Sequence, residues 1–317
     1  MEVKECVKCG KPAFYYRPYS GEYLCKGCFV TSIYDITLQT IRKYEMIKYG
    51  ERVVVGVSGG KDSVSLLYIL AKFFKGNEII AVTVDEGIKG YREEGIQIAS
   101  KIAQQLNVKH VIYSYKQLFN YTIDEIQEIK GKYSSCTICG IFRRRALDIA
   151  AKELNAQVLA TAHNLDDVLQ TYFILLTNGD IERLKTFNPA VEKSEAFGIR
   201  KVHPFFRIYE KELAMFAMLK GFDFQTVVCP YMAQGIRSEI REFLNKLEEK
   251  HPGIKYQLLS TFMQLYSERI KVEGQFCKKC GWPSKGEICQ VCRTIDFLNS
   301  NKYKLMGGKD EFLGSNQ

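Results

Sequence analysis

No apolar run in this chain of 317 residues is long enough to cross a bilayer; stretches such as residues 53–57 fall far short of the ~20 residues a membrane helix needs. Residues 1–10 carry cysteines and charges where a secretory signal requires an apolar segment. The expectation is a cytoplasmic protein with no membrane partner. No long internal repeat is present either. Core-forming residues are not scarce: 46% of the chain is hydrophobic and 26% charged, enough for a sizeable buried core with one or two small appended modules.

What the chain has in quantity is cysteine, eleven in all. A reducing compartment disfavours disulfides, so the thiols are expected to be metal ligands or catalytic groups. The 45 basic residues outnumber 36 acidic ones, for a net charge of +9, which suits a polyanion such as RNA and equally an ordinary solvated surface.

Spacing sorts the cysteines. Cys6-x-x-Cys9 pairs with Cys25-x-x-Cys28, and Cys277-x-x-Cys280 with Cys289-x-x-Cys292. Zinc takes four tetrahedral thiolates, and two residues between paired cysteines let both sulfurs face one ion. Two Zn²⁺ knuckles are therefore expected, each an element too small for its own core. Nearby Lys8, Lys11, Arg17, Lys278, Lys279 and Lys285 can add RNA contacts or be plain solvated charges.

Between the knuckles, strand and helix patterns alternate: strands at 52–57, 78–85, 109–115 and 157–162, helices at 63–74, 92–106, 143–154 and 166–177. That order predicts an α/β fold with a doubly wound parallel sheet, flanked by N- and C-terminal zinc knuckles, with ligands at the carboxyl ends of the strands. Helices are expected at 211–220, 237–250 and 255–269. The expected division is an N-terminal knuckle 1–30, a linking helix 31–50, a catalytic domain 51–230, a helical extension 231–272, a C-terminal knuckle 273–300 and a mobile tail 301–317.

After the first strand comes Gly56-Val57-Ser58-Gly59-Gly60-Lys61-Asp62-Ser63. Paired glycines between strand and helix turn backbone amides toward an anion, with the Ser58 and Ser63 hydroxyls and Lys61 adding donors and charge. Val55 and Asp62 stand where a Walker A loop needs Gly and Ser or Thr. The stretch instead resembles the SGGxDS loop of the PP-loop ATP pyrophosphatases, which split ATP between its α and β phosphates and adenylate a substrate. His163-Asn164-Leu165-Asp166-Asp167 matches that family's HNxDD motif. The two acids can hold Mg²⁺ against the triphosphate, or serve as a helix cap and a first-turn acid. The resemblance places adenosine at Val84 and Asp85; an ordinary strand-end cap is the plainer role for Asp85.

Eight of eleven cysteines belong to the knuckles, leaving Cys136, Cys139 and Cys229. Three thiolates suit an iron-sulfur cluster with one iron open, or a redox pair plus a nucleophile. Cys136 and Cys139 are read as lying just ahead of a basic helix with Arg143, Arg144 and Arg145. PP-loop, central CxxC with a distant third cysteine, and knuckles at both ends together resemble the TtuA group of tRNA 2-thiouridine synthetases.

That resemblance implies an enzyme that uses ATP to adenylate the C2 carbonyl of a tRNA uridine, releasing pyrophosphate, and then replaces AMP by sulfur. It implies uridine-54 of the T-loop as target, with relatives that act on the wobble uridine as the alternative. Cys136, Cys139 and Cys229 would hold a 4Fe-4S cluster; a cluster-free persulfide and disulfide route is the rival. Catalytic parts would fall to these three with Lys61, Asp62 and Asp167; Ser58 to Ser63, Val84, Asp85, Arg143, His163, Asp166 and Asp167 would bind ATP. A thiocarboxylated ubiquitin-like sulfur carrier and a homodimer are implied as well. Two other classes compete: a PP-loop ligase or amidase, for which no glutaminase is in sight, and a non-catalytic zinc-ribbon RNA binder.

Overall fold

A computed structural model describes residues 4–129, 134–194, 198–231, 236–266 and 275–305. The N-terminal knuckle carries a hairpin of β1 (Tyr15–Arg17) and β2 (Glu22–Leu24) and leads into α1 (Lys26–Lys43). The alternating segment follows: β3 (Arg52–Gly56), α2 (Lys61–Phe73), β4 (Glu78–Asp85), α3 (Arg92–Gln105), β5 (Lys109–Ser114), the short α4 (Tyr115–Phe119) and α5 (Ile123–Glu128), α6 (Ser135–Glu153), β6 (Val158–Ala160) and α7 (Leu165–Thr177). Then come α8 (Ile181–Thr186), β7 (Val191–Ser194), β8 (Ile199–Val202), α9 (Glu210–Leu219), α10 (Ile236–Lys250), α11 (Ile254–Leu265), β9 (Gln275–Phe276), β10 (Pro283–Ser284) and α12 (Gln290–Leu305).

The main sheet runs β5-β4-β3-β6-β8-β7. Five strands are parallel and β7 alone is antiparallel, paired to β8. Both faces are covered, which is why β3 reads as an unbroken apolar run. Val53, Val55 and Val57 pack with α2 residues Val64, Leu67 and Leu70 on one face. Val54 packs with Ile80, Leu159 and α6 residues Ala150 and Ala151 on the other. Each such buried aliphatic side chain contributes roughly 1.5–3 kcal/mol. Strand order reverses between β3 and β6, so a crevice opens there at the carboxyl edge.

Several expectations need correction. The sheet carries two strands, β7 and β8, that the alternation did not disclose. Helix α6 begins at Ser135, not near Arg143, because the Ser134 hydroxyl accepts from the Thr137 amide and caps it; both Cys136 and Cys139 therefore sit on the helix. The last helix runs to Leu305, so residues 301–305 are helical rather than tail, while 306–317 lie outside the described residues. So do residues 267–274, which include the end of the helix expected to reach 269.

The N-terminal knuckle is part of the body. Cys6, Leu24, Cys25 and Phe29 belong to the main core. Arg17, for which RNA contact and plain solvation were both open, does neither: it is 4% exposed, its Nε donates to Glu212 Oε1 of α9 at 2.8 Å and Nη2 to Ser32 Oγ at 2.8 Å, while the Tyr19 hydroxyl donates to Glu212 Oε2 at 2.9 Å. A charge so enclosed is stable only when paired and cannot also face a polyanion.

Candidate active site

The loop between β3 and α2 is shaped by its glycines. Gly59 has φ +85°, and a Cβ there would come within 2.4 Å of the Gly95 carbonyl oxygen on α3, so only glycine allows both the left-handed turn and the close approach. Gly60 caps α2 with no side-chain bond to the first-turn amides, which leaves them directed at the crevice with the helix's positive end behind them. The Ser58 amide donates to Ser63 Oγ at 3.1 Å, and the Ser63 hydroxyl donates back to the Gly60 carbonyl at 2.9 Å. These bonds hold the loop in its cradle form.

Lys61 Nζ lies 3.3 Å from Asp62 Oδ2 and 3.0 Å from Glu210 Oε1 at the start of α9. Asn164 Nδ2 donates to Asp62 Oδ2 at 3.2 Å. Asp62 Oδ1 is buried and has no hydrogen-bond partner among the described residues. Burial, opposed by the Lys61 charge and reinforced by Asp167 and Glu210, raises the Asp62 carboxyl to about 6. A half-enclosed carboxylate with an orphaned oxygen beside a phosphate cradle fits a hard cation such as Mg²⁺. Because the folded carboxyl holds its proton more tightly than the unfolded one, its ionisation costs the fold nothing below 3.8 and progressively more as pH rises through about 6. Asp62→Asn is expected to stabilise the ligand-free protein at pH 7.5 by on the order of 2 kcal/mol, a gain that vanishes near pH 4 in urea melts, while Mg-ATP binding weakens.

Across the crevice, α7 starts with a capping box: the Asn164 side chain accepts from the Asp167 amide, and Asp167 Oδ2 accepts from the Asn164 amide at 3.2 Å. Asn164, not Asp166, is the cap. Asp167 stays half-buried facing Asp62, whereas Asp166 is buried with both oxygens engaged, Oδ2 by the Glu210 amide at 2.8 Å and Oδ1 by Lys255. The expected ATP or Mg²⁺ role thus rests on Asp167 and Asp62, and Asp166 fastens α9 and α11 to α7. Thr161 Oγ1 sits 2.7 Å from Nδ1 of both His163 and His203; burial holds His203 well below its ordinary value, hence neutral. Asp85 Oδ1 accepts from the Gly87 amide at 2.9 Å, the strand-end cap, and Val84 is 5% exposed.

The three central cysteines gather beside this crevice. Cys139 is buried and Cys136 exposed on α6. Cys136 Sγ donates to the Tyr231 carbonyl at 3.0 Å, and Cys229 packs on the cluster that contains Cys139. The segment bearing Cys229 hangs from the phosphate loop: the Gln225 amide donates to the Gly59 carbonyl at 2.9 Å, and Gln225 Nε2 to the Tyr91 carbonyl at 2.5 Å. Arg143 Nη2 approaches Cys139 Sγ at 3.2 Å, and its Nε donates to Glu86 Oε1 at 3.0 Å. Glu86, Arg92, Gln225 and Glu210 carried no recognisable signal in the sequence, because each acts through partners far along the chain.

Among the described residues, two groups of four cysteines bring their sulfurs within 4.8 Å of one another, the two outer sets. Cys9 and Cys25 lie 3.6 Å apart and Cys280 and Cys289 3.7 Å apart, close to the ~3.8 Å edge of a tetrahedron with 2.3 Å metal–sulfur bonds. Amides of Cys28, Cys289 and Cys292 donate to Cys25, Cys277 and Cys289 Sγ, as thiolate ligands require. Cys136, Cys139 and Cys229 do not form such a group.

A family described as a PP-loop domain matches residues 33–248, and one described as the N-terminal LIM domain of 2-thiouridine synthetase TtuA matches 5–30. The chain is 35% identical over 295 residues to cytoplasmic tRNA 2-thiolation protein 1 of Dictyostelium discoideum, covering 91% of this chain and 82% of that one. It is 33% identical over 319 residues to tRNA 2-thiolation protein NcsA of Haloferax volcanii, covering 93% and 99%. Its fold superimposes with TM-score 0.83 and 32% identity, covering 94% and 97%, on the U34-tRNA thiolase NcsA of Methanococcus maripaludis, solved with its 4Fe-4S cluster. With a PP-loop domain matched over two thirds of the chain, relatives above 30% identity along nearly its whole length and a shared fold, the protein belongs to the PP-loop family of tRNA 2-thiolation proteins.

Proposed function

We propose that this protein adenylates the C2 carbonyl of a tRNA uridine with ATP and then exchanges that oxygen for sulfur. The observation that carries the reading is the meeting of a phosphate cradle and three spare cysteines at one sheet edge, tied together through Gln225. The base oxygen attacks the α-phosphorus, the bond to the β-phosphate breaks, and pyrophosphate leaves into the amides of residues 59–63 with Lys61 neutralising charge. Asp62 and Asp167 hold Mg²⁺, and adenosine lies toward Val84 and Asp85. Incoming sulfide adds at C2, and the C2–O bond breaks to release AMP. Cys136, Cys139 and Cys229 hold a 4Fe-4S cluster, which when bound offers sulfide an open iron; the outer sets hold two Zn²⁺. A thiocarboxylated ubiquitin-like sulfur carrier and a homodimer are proposed with it, as is the division into two knuckles, a catalytic domain and a helical extension, with the last helix carried to Leu305.

Two features support tRNA. A cavity of about 340 Å³ between α6 and the C-terminal knuckle is lined by Arg144, Arg145, Lys201, Lys285 and Arg293, with Asp148 as its acid. Beside it Trp282 lies under Arg145 and Lys152, 4.5 and 5.2 Å from its ring centre. Cations with an aromatic face suit an RNA backbone and an unstacked base. The proposed target is the wobble uridine, since a relative of this extent is named a U34-tRNA thiolase; uridine-54 is the second reading, favoured by the TtuA match at residues 5–30. Anaerobic protein, ATP, sulfide and unmodified tRNA should yield 2-thiouridine in the anticodon fragment by mass spectrometry. Sulfur in the T-loop fragment would reassign the position, and the absence of both AMP and thiolated tRNA would end the proposal.

A further inference from the structure

We infer that Glu86 is a positioning residue that keeps the sulfur ligand Cys139 and the phosphate loop in one register. It follows directly on β4, its side chain 6% exposed, and its carbonyl accepts from the Ile123 amide at 2.9 Å, which fixes the backbone. The carboxylate sits between two guanidinium groups. Oε1 lies 2.9 Å from Arg143 Nη2, the same nitrogen that reaches Cys139 Sγ at 3.2 Å. Oε2 lies 2.9 Å from Arg92 Nε as an ion pair without a hydrogen bond, since that N–H donates to the Val84 carbonyl at 3.0 Å, and Arg92 Nη1 donates to the Ser58 carbonyl at 2.8 Å. One buried charge therefore joins α6, α3 and the loop after β3.

The physics makes this junction directional. A buried carboxylate is tolerated because two cations face it, and without its charge those cations repel each other. Arg92 is enclosed, 4% exposed, while the Arg143 side chain is 51% exposed, so Arg143 is the partner free to swing away. A glutamine would offer one acceptor oxygen and turn an N–H₂ toward the other guanidinium. Cys139 would lose its cationic neighbour, and Ser58 would be held less firmly.

The part played by Cys139 rests on the thiolase reading, so the test separates the two. Full-length Glu86→Gln, Glu86→Asp, Arg143→Gln and Glu86→Gln/Arg143→Gln proteins are prepared anaerobically and compared for Mg-ATP affinity by calorimetry and for cluster midpoint potential by redox titration. A hydrogen bond to a cluster sulfur raises the potential, so Glu86→Gln should move it to a more negative value and weaken Mg-ATP binding about tenfold. Glu86→Asp should restore part of both. Adding Arg143→Gln to Glu86→Gln should move the potential no further, which a general loosening of the fold would not produce. Unchanged potential in Glu86→Gln, or additive shifts in the double variant, overturns the inference. If the protein takes up no iron, the cluster reading fails alone, and iodoacetamide labelling of Cys139 relative to Cys136 replaces the potential: slower labelling in Glu86→Gln supports the role, equal labelling overturns it. Should Glu86→Gln not fold, Glu86→Asp against Arg143→Gln decides on the same readouts.

Discussion

Replacing Cys139 by serine is expected to reduce tRNA thiolation to background while Mg-ATP still binds. The thiol is 9% exposed and is contacted by Arg143 Nη2, with the Tyr115 hydroxyl donating to its own carbonyl at 2.7 Å. A serine hydroxyl fits that space and can accept from Arg143, so the fold should lose only about 1 kcal/mol. What disappears is the sulfur, and with it one of three ligands or nucleophiles that no neighbouring thiol can replace. Thiolated nucleosides, iron content and ATP affinity measured on one preparation separate chemistry from binding. Appreciable turnover in the serine variant would remove Cys139 from the mechanism, whichever cofactor is present.

On the reading that Cys6, Cys9, Cys25 and Cys28 hold Zn²⁺, stripping that site by a chelator or by Cys25→Ala is expected to destabilise the whole catalytic body by ~5 kcal/mol or more. Cys25 is both one of the four grouped cysteines and the residue that caps α1, its sulfur accepting from the Cys28 amide. Phe29, one turn along, is fully buried in the main core. Losing the knuckle would also leave Glu212 buried without Arg17 and Tyr19. Two residues before it, Glu210 engages Lys61 and Asp166 at the ATP crevice, so the damage should reach nucleotide binding. Thermal melts with and without chelator, read beside ATP affinity, test this. A separate low-temperature transition of the knuckle that leaves ATP affinity intact would contradict it.

The legible parts of this protein are those whose chemistry is local. Residues 78–85 read as a strand because Ile79, Ile80, Val82, Thr83 and Val84 make most of the run β-branched, and SGGKDS and HNLDD show themselves because a phosphate cradle and a capped acidic turn need consecutive residues. Cysteine spacing separated the outer sets from the central three for the same reason. The start of α6 was obscured because Ser135, Cys136, Thr137 and Gly140 are weak helix formers, and only the Ser134 cap explains their conformation. The β7 and β8 hairpin consists of four-residue strands, too short for alternation to stand out. Arg17 looked like a surface cation because nothing near it in sequence discloses Glu212, 195 positions away.

Helix α6 has a consequence of its own. It carries Cys136 and Cys139 in its opening turns and Arg144 and Arg145 on the stretch that lines the basic cavity. At 1.5 Å per residue, Cys139 and Arg145 are about 9 Å apart along the axis. On the proposed function, the helix spaces the sulfur centre from the basic cavity, so that an RNA phosphate held at Arg145 would lie about 9 Å along the axis from Cys139.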